Sequence, residues 1–276
     1  MDFSYTRAYT GPLRLAIFDW AGTIIDYGCC APAYAFIEGF KKQGVSITMP
    51  QAREPMGMEK RAHIKAVTEM EEIAREWQRA HGRPVAEEDI DRMFEEFVPV
   101  LLNVLADHSS VIPGVVDTIN QLRGHGLKIA GTTGYFKEAA DIGARCAASE
   151  GYIPDFTISA SEVPAGRPFP WMIYRVMEAL ETCPPEAVVN VGDTVVDVEA
   201  GINAGVWTVG IARTGNETGL SLSAMAIADP TEVEARVSAA RKKLQQTGAH
   251  YVIDSVADMP QVVKEINRRL ANGEKP

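Results

Sequence analysis

Apolar and polar positions along this chain fall into two rhythms. Short runs rich in Val, Ile, Leu and aromatic residues occupy 13–18, 127–131, 156–158, 187–191, 206–211 and 251–253. They are continuously apolar rather than alternating, which predicts strands buried on both faces. Between most of them lie amphipathic or Ala-rich stretches at 115–123, 136–150, 171–180 and 196–204, which predict helices. The alternation implies an α/β fold, a doubly wound, Rossmann-like parallel sheet covered by helices on both sides.

One interval breaks the rhythm. From Gly28 to Asp107 no strand-like run occurs, and helical stretches appear near 33–43, 60–80 and 87–105. In the last of these Ile90, Phe94, Phe97, Leu101 and Val104 recur at spacings of four and three, an apolar stripe along one helix face. Pro99 is expected to bend or shift that helix. The interval therefore reads as an inserted helical cap domain, 28–107, over the sheet's carboxyl edge. The core is expected to comprise 1–27 and 108–276. Ile112-Pro113-Gly114 marks the return to it, and 214–228 is left as loop.

Composition narrows the partners. With 46% hydrophobic and 23% charged residues over 276 positions, the chain is an ordinary globular protein. A net charge of −10 argues against nucleic acid or an anionic membrane as partner, and requires local cations to hold any anionic substrate. No apolar run reaches the roughly 20 residues that span a bilayer, and the N-terminus lacks the order of a signal peptide. Four cysteines, two of them adjacent, do not form a disulfide pattern, so a reduced cytoplasmic setting is expected.

The chemistry lies just beyond the strands. Asp19 follows the first, Thr132-Thr133-Gly134 the second, Arg167 the third, and Asp193 and Asp197 the fourth. Singly, each has a plainer use, as a helix cap, a turn or a solvated acid. Together they should converge, because ligands of open α/β sheets bind outside the carboxyl ends of the strands. Asp19 and Asp193 offer hard oxygen ligands to Mg²⁺. Thr133 and the Gly134 N–H suit a phosphoryl oxygen, and Arg167 suits its charge. Asp197 is placed to orient Arg167 or the metal's surroundings.

This order of motifs resembles the haloacid dehalogenase superfamily of aspartate-nucleophile phosphotransferases. The resemblance implies that Asp19 attacks phosphorus and becomes an aspartyl-phosphate. It also exposes a departure: the usual Asp-x-Asp-Gly-Thr reads Asp19-Trp20-Ala21-Gly22-Thr23, so the acid that protonates a leaving oxygen is missing. A carbon leaving group instead needs an electron sink, which a lysine imine beside that carbon supplies. Lys60, in Met56-Gly57-Met58-Glu59-Lys60-Arg61-Ala62-His63, is the candidate. Gly57 permits close backbone approach, His63 shares the helix face, and Arg61 with a closed cap is expected to depress the amine's pKa.

With Ala21 included, the chain resembles the phosphonatase family, the phosphonoacetaldehyde hydrolases, along nearly its whole length. Tyr27-Gly28-Cys29, Thr132-Thr133-Gly134-Tyr135, Gly166-Arg167-Pro168 and Gly248-Ala249-His250 add to the match. The resemblance implies a small phosphonate substrate, Mg²⁺ between Asp19, the Ala21 carbonyl and Asp193, and a Schiff base on Lys60. It further implies Met56 or His63 assisting protonation, Cys29 and Tyr135 lining the aldehyde pocket, and a homodimer through the cap. The alternatives are a phosphomonoester phosphatase or phosphomutase of the same fold, and a non-catalytic binding protein on this scaffold.

Overall fold

The computed structural model describes residues 8–276, so the first seven positions of the expected core, and the start of the stretch read for a leader, lie outside it. Six parallel strands form one sheet. They are β1 (Leu15–Phe18), β2 (Lys128–Thr133), β3 (Phe156–Ser159), β4 (Val188–Gly192), β5 (Trp207–Ile211) and β6 (Tyr251–Ile253). Their order is β3-β2-β1-β4-β5-β6, with the reversal of direction at β1. Phe18 pairs with Gly131 on one side and Val191 on the other. That register brings the residues following β1 and β4 level with the end of β2, at the switch point where such sheets bind ligands.

The helices α1 (Cys30–Lys42), α2 (Met49–Arg53), α3 (Lys60–Thr68), α4 (Glu71–His81) and α5 (Glu87–His108) all lie between β1 and β2 in the chain. The remaining helices flank the sheet: α6 (Val115–Gly124), α7 (Lys137–Ser149), α8 (Trp171–Ala179), α9 (Val195–Ala204), α10 (Leu222–Ile227), α11 (Pro230–Gln246) and α12 (Met259–Ala271). Strand ends shift by one or two residues from the sequence reading. The stretch 60–80 is two helices, broken at Glu69-Met70, and 214–228 contains α10. The helices α11 and α12 were not anticipated, because a long polar face masks their apolar lines.

Four apolar clusters form among the described residues, and two of them bear on the site. One sandwiches Phe18, Trp20, Val189, Val191, Trp207 and Val209 against α6 and α12. The other joins Phe36, Phe40, Ile64, Trp77 and Phe97 of the inserted helices to Tyr135, Ala139 and Ala140 of the segment after β2. In α5 the buried line runs Ile90, Met93, Phe97, Leu101, Leu105, with Phe94 and Val104 only partly covered. The helix continues through Pro99, and the apolar face differs from the expected stripe at Met93 and Leu105.

Candidate active site

Each site residue sits where a strand or helix end delivers it. Asp19 is held at the end of β1 by its own N–H, which donates to the Val191 carbonyl (2.8 Å). Arg167, after β3, reaches across: its Nη2 lies 2.7 Å from Asp19 Oδ1 and donates to the carbonyl and hydroxyl of Thr132 (2.9 and 2.7 Å). Its Nη1 lies 2.8 Å from Asp197 Oδ1, an ion pair set off the line of a hydrogen bond. The other Asp197 oxygen caps α9, accepting from the Thr194 N–H and hydroxyl. Asp197 thus orients Arg167, as its position in the chain suggested.

Asp193 accepts from the Thr23 hydroxyl (3.2 Å) and, through its second oxygen, from the Asn216 N–H (2.6 Å). Oxygens of Asp19, Asp193 and Asp197 all lie within 4.8 Å of one another, and all three residues are buried. Burial, followed by repulsion from Asp19 and Asp197, holds the Asp193 carboxyl well above its usual range. Asp197 is pushed up to about 6, by burial first, with Arg167 opposing and Asp19 adding. Three buried carboxylates facing one guanidinium leave uncompensated negative charge. A hard divalent cation on Asp19 and Asp193 relieves it, so the donor set fits Mg²⁺.

Lys60 enters from the opposite side. It is the first residue of α3, whose free N–H groups at Arg61 and Ala62 are capped by the Glu59 carboxylate. Its side chain is buried, with Nζ 5.1 Å from the centre of the Tyr135 ring and 5.8 Å from that of Phe36. Burial lowers its pKa and Arg167 adds to the effect, while Cys29, Asp19 and Glu59 oppose it. Arg61 takes no part. It pairs on the surface with Asp91 (2.6 Å) and Glu87 (2.8 Å), because one residue along a helix is about 100° around it.

A cavity of about 20 Å³, room for little more than one water, lies between these groups. Asp19, Ala21, Cys29, Met56, Gly57, Lys60, Thr133, Gly134, Tyr135 and Arg167 line it, as the sequence indicated, together with Pro32 and Thr194, which it did not. The Thr133 hydroxyl accepts from the Tyr135 N–H (3.1 Å), which fixes the turn after β2. Burial raises the Cys29 thiol and the Tyr135 phenol well above their usual values, so both are neutral walls. Larger grooves, such as the 760 Å³ one beside α3, α4 and α5, carry none of this chemistry.

His63 is placed differently from the expectation. It does not line the cavity. Its ring stacks on Phe36 (3.8 Å between centres), and Nε2 lies 3.0 Å from the Ala52 carbonyl. Burial, reinforced by Lys60, holds its pKa well below the usual value, so it supports the packing beneath Lys60 and is not set to hand over a proton. Thr23, Thr132 and Asn216, which fix Asp193 and Arg167, carried little or no signal in the sequence. Thr23 and Thr132 lie inside motifs already noted, but nothing in Thr214-Gly215-Asn216 marks Asn216.

Comparison with known proteins agrees with this geometry. A family model for haloacid dehalogenase-like hydrolases matches residues 13–205, and a second of the same kind matches 164–259. The phosphonoacetaldehyde hydrolase of Nitratidesulfovibrio vulgaris is 42% identical over 99% of this chain and 98% of its own length. That of Bacillus cytotoxicus is 43% identical over 93% and 97%. A crystal structure of a phosphonoacetaldehyde hydrolase-like protein from Oleispira antarctica superposes with a TM-score of 0.97 at 40% identity, covering both chains completely. With identity of this order running from end to end, the chain belongs to the phosphonoacetaldehyde hydrolase family of the haloacid dehalogenase-like hydrolases.

Proposed function

We propose that this protein cleaves the carbon–phosphorus bond of phosphonoacetaldehyde, releasing acetaldehyde and phosphate. One observation carries the reading. A buried lysine amine and a buried aspartate share a single small cavity whose wall, at Ala21, lacks the acid that an oxygen leaving group requires. The names of the relatives point to the same substrate.

The neutral amine of Lys60 adds to the aldehyde, and protonation and loss of water leave an iminium, the protonated imine, one carbon from the C–P bond. Asp19 attacks phosphorus. The electron pair of the breaking C–P bond passes into the imine, giving an enamine, so no proton is needed at the moment of cleavage. Protonation at carbon and hydrolysis then release acetaldehyde and regenerate Lys60, while water cleaves the aspartyl-phosphate. The Thr133 hydroxyl, the Gly134 N–H and Arg167 hold the phosphoryl oxygens, and Asp197 holds Arg167 in line. Met56, in the cavity wall, would help shield the enamine. Asp19, the Ala21 carbonyl and Asp193 would hold Mg²⁺, which would supply charge neutralisation for the transferring group.

The cavity is too small to admit the substrate as it stands, so the inserted helices must swing as a cap over the core, residues 28–107 on 1–27 and 108–276. A homodimer through those helices and a reducing, cytoplasmic setting, consistent with four free cysteines, complete the reading.

Magnesium-dependent release of acetaldehyde and phosphate from phosphonoacetaldehyde, with sugar phosphates left intact, is the expected result. Borohydride added during turnover should fix a two-carbon adduct on Lys60, read by peptide mass. Lys60→Arg should abolish both. Turnover retained by Lys60→Arg would refute the imine.

A further inference from the structure

At the C-terminal end of α2, Arg53 meets two other segments at once. Its Nη1 donates to the carbonyls of Gly28 (2.7 Å) and Cys29 (3.3 Å), in the linker that leads into the inserted helices, and to Asn216 Oδ1 (3.0 Å). Its Nη2 donates to the Gly219 carbonyl (3.3 Å), in the loop after β5. Asn216 answers: its Nδ2 donates to the Arg53 carbonyl (3.2 Å), and its N–H holds Asp193 Oδ2. The Gly28 N–H donates to the Thr214 carbonyl (2.7 Å), and the Thr214 hydroxyl to the carbonyl of Gly22, next to Ala21 (2.8 Å).

We propose that Arg53 is a positioning residue, a latch that registers the inserted helices on the core and, through Asn216, presents the Asp193 carboxylate to the cation. Its consequence for turnover rests on the function proposed above. The chemistry of the contacts favours a latch over a static brace. None of the hydrogen-bond partners of the guanidinium is a carboxylate. Carbonyl and amide dipoles hold it only while linker, α2 and loop are in contact, and water replaces them at little cost when they part. The fork of donors is needed, because the Gly28 and Gly219 carbonyls are met by different guanidinium nitrogens, which one ammonium nitrogen cannot replace.

The fit is close on both sides. A Cβ at Gly28 would stand 2.3 Å from the Leu220 carbonyl oxygen, and one at Gly219 would stand 3.1 Å from Arg53 Nε. The latch also locates two cavity walls, since Cys29 is one of its acceptors and Met56 lies three residues beyond Arg53. A shift of a wall by an ångström is enough to lower a rate about a hundredfold.

Two variants test it, Arg53→Lys, which keeps the charge and loses the fork, and Asn216→Ala, which leaves the guanidinium in place. Calorimetric titration of the substrate-free protein with Mg²⁺ should show affinity reduced about 10- to 100-fold in both, the usual effect of losing a partner that orients a metal ligand. Hydrogen exchange in the metal-free protein should quicken at the Gly28 and Asn216 amides and stay at the wild-type rate in α12, which separates local release from general loosening. With phosphonoacetaldehyde, kcat/KM should fall by about 10- to 100-fold. Wild-type Mg²⁺ affinity together with wild-type exchange at Gly28 and Asn216 in both variants would overturn the latch. The first two readouts need no substrate, so a wild-type protein that failed to turn over phosphonoacetaldehyde would sink the proposed function and leave the latch standing.

Discussion

Lys60 concentrates the conflict between stability and chemistry into one side chain. Burial lowers its pKa, so the unfolded chain, with an ordinary lysine near 10.4, binds more protons than the folded one across the interval between the two values. Folding stability therefore rises with pH through that interval, and below it the buried amine is a net cost. Lys60→Met, which fills the same space without a charge, should raise the melting temperature at pH 7 by about 2 °C, or about 1 kcal/mol, while ending adduct formation. The gap from wild type, followed by calorimetry, should narrow as pH climbs toward 10. A gap that widens instead would mean the amine is not desolvated. Sequence logic reached Lys60 because a missing acid demands a sink. It misjudged Arg61 and His63, since neither the outward turn of Arg61 nor the stacking of His63 on Phe36 is visible in a string of letters.

At the scale of elements, two glycines decide how the inserted helices meet the sheet. Gly57 has φ of +90°, and a Cβ there would stand 2.4 Å from Thr194 Oγ1. A Cβ at Gly134 would stand 2.6 Å from the carbonyl oxygens of both Gly57 and Met58. Backbone therefore meets backbone where Lys60 is brought over Asp19. Gly57→Ala should cost about 1–2 kcal/mol of stability from the left-handed backbone, and at least about tenfold in kcat/KM from the wall it displaces. Wild-type kinetics in this variant would show that close approach is not required. Gly57 was legible as a point of close approach, but its opposite number, the cap of α9, was not. Many helices were readable from apolar spacing, whereas α11 and α12, the break between α3 and α4 and the run of α5 through Pro99 were not.

For the molecule as a whole, the site is an excess of negative charge enclosed by a protein already at −10. Without a cation, the raised carboxyl groups of Asp193 and Asp197 hold protons that the unfolded chain releases. Their contribution is present below the unfolded value of about 3.9 and is lost as pH rises through the raised folded values, about 6 for Asp197. Mg²⁺ should therefore stabilise more at pH 7, where a hundred times its dissociation constant adds about 2.7 kcal/mol, than at pH 5. Thermal scans with and without EDTA read this directly. Asp193→Asn should melt higher than metal-free wild type and lose the Mg²⁺ increment.

What the order of residues determined by itself was the alternation of strand and helix, the interruption by helices, and the chemical kinds placed after each strand. These are local matters, set by periodicity and by which side chains follow a buried run. Only the tertiary structure decided which groups face each other: Arg167 between Asp19 and Asp197, Lys60 beneath Tyr135, and Asn216 behind Asp193. Those pairings join residues on different elements, from 23 positions apart for Asn216 and Asp193 to 148 for Arg167 and Asp19, through the parallel register of the sheet and the closure of α2 and α3 upon it. None of these contacts leaves a periodic trace in the sequence, because each is made by a single residue at or beyond the end of an element.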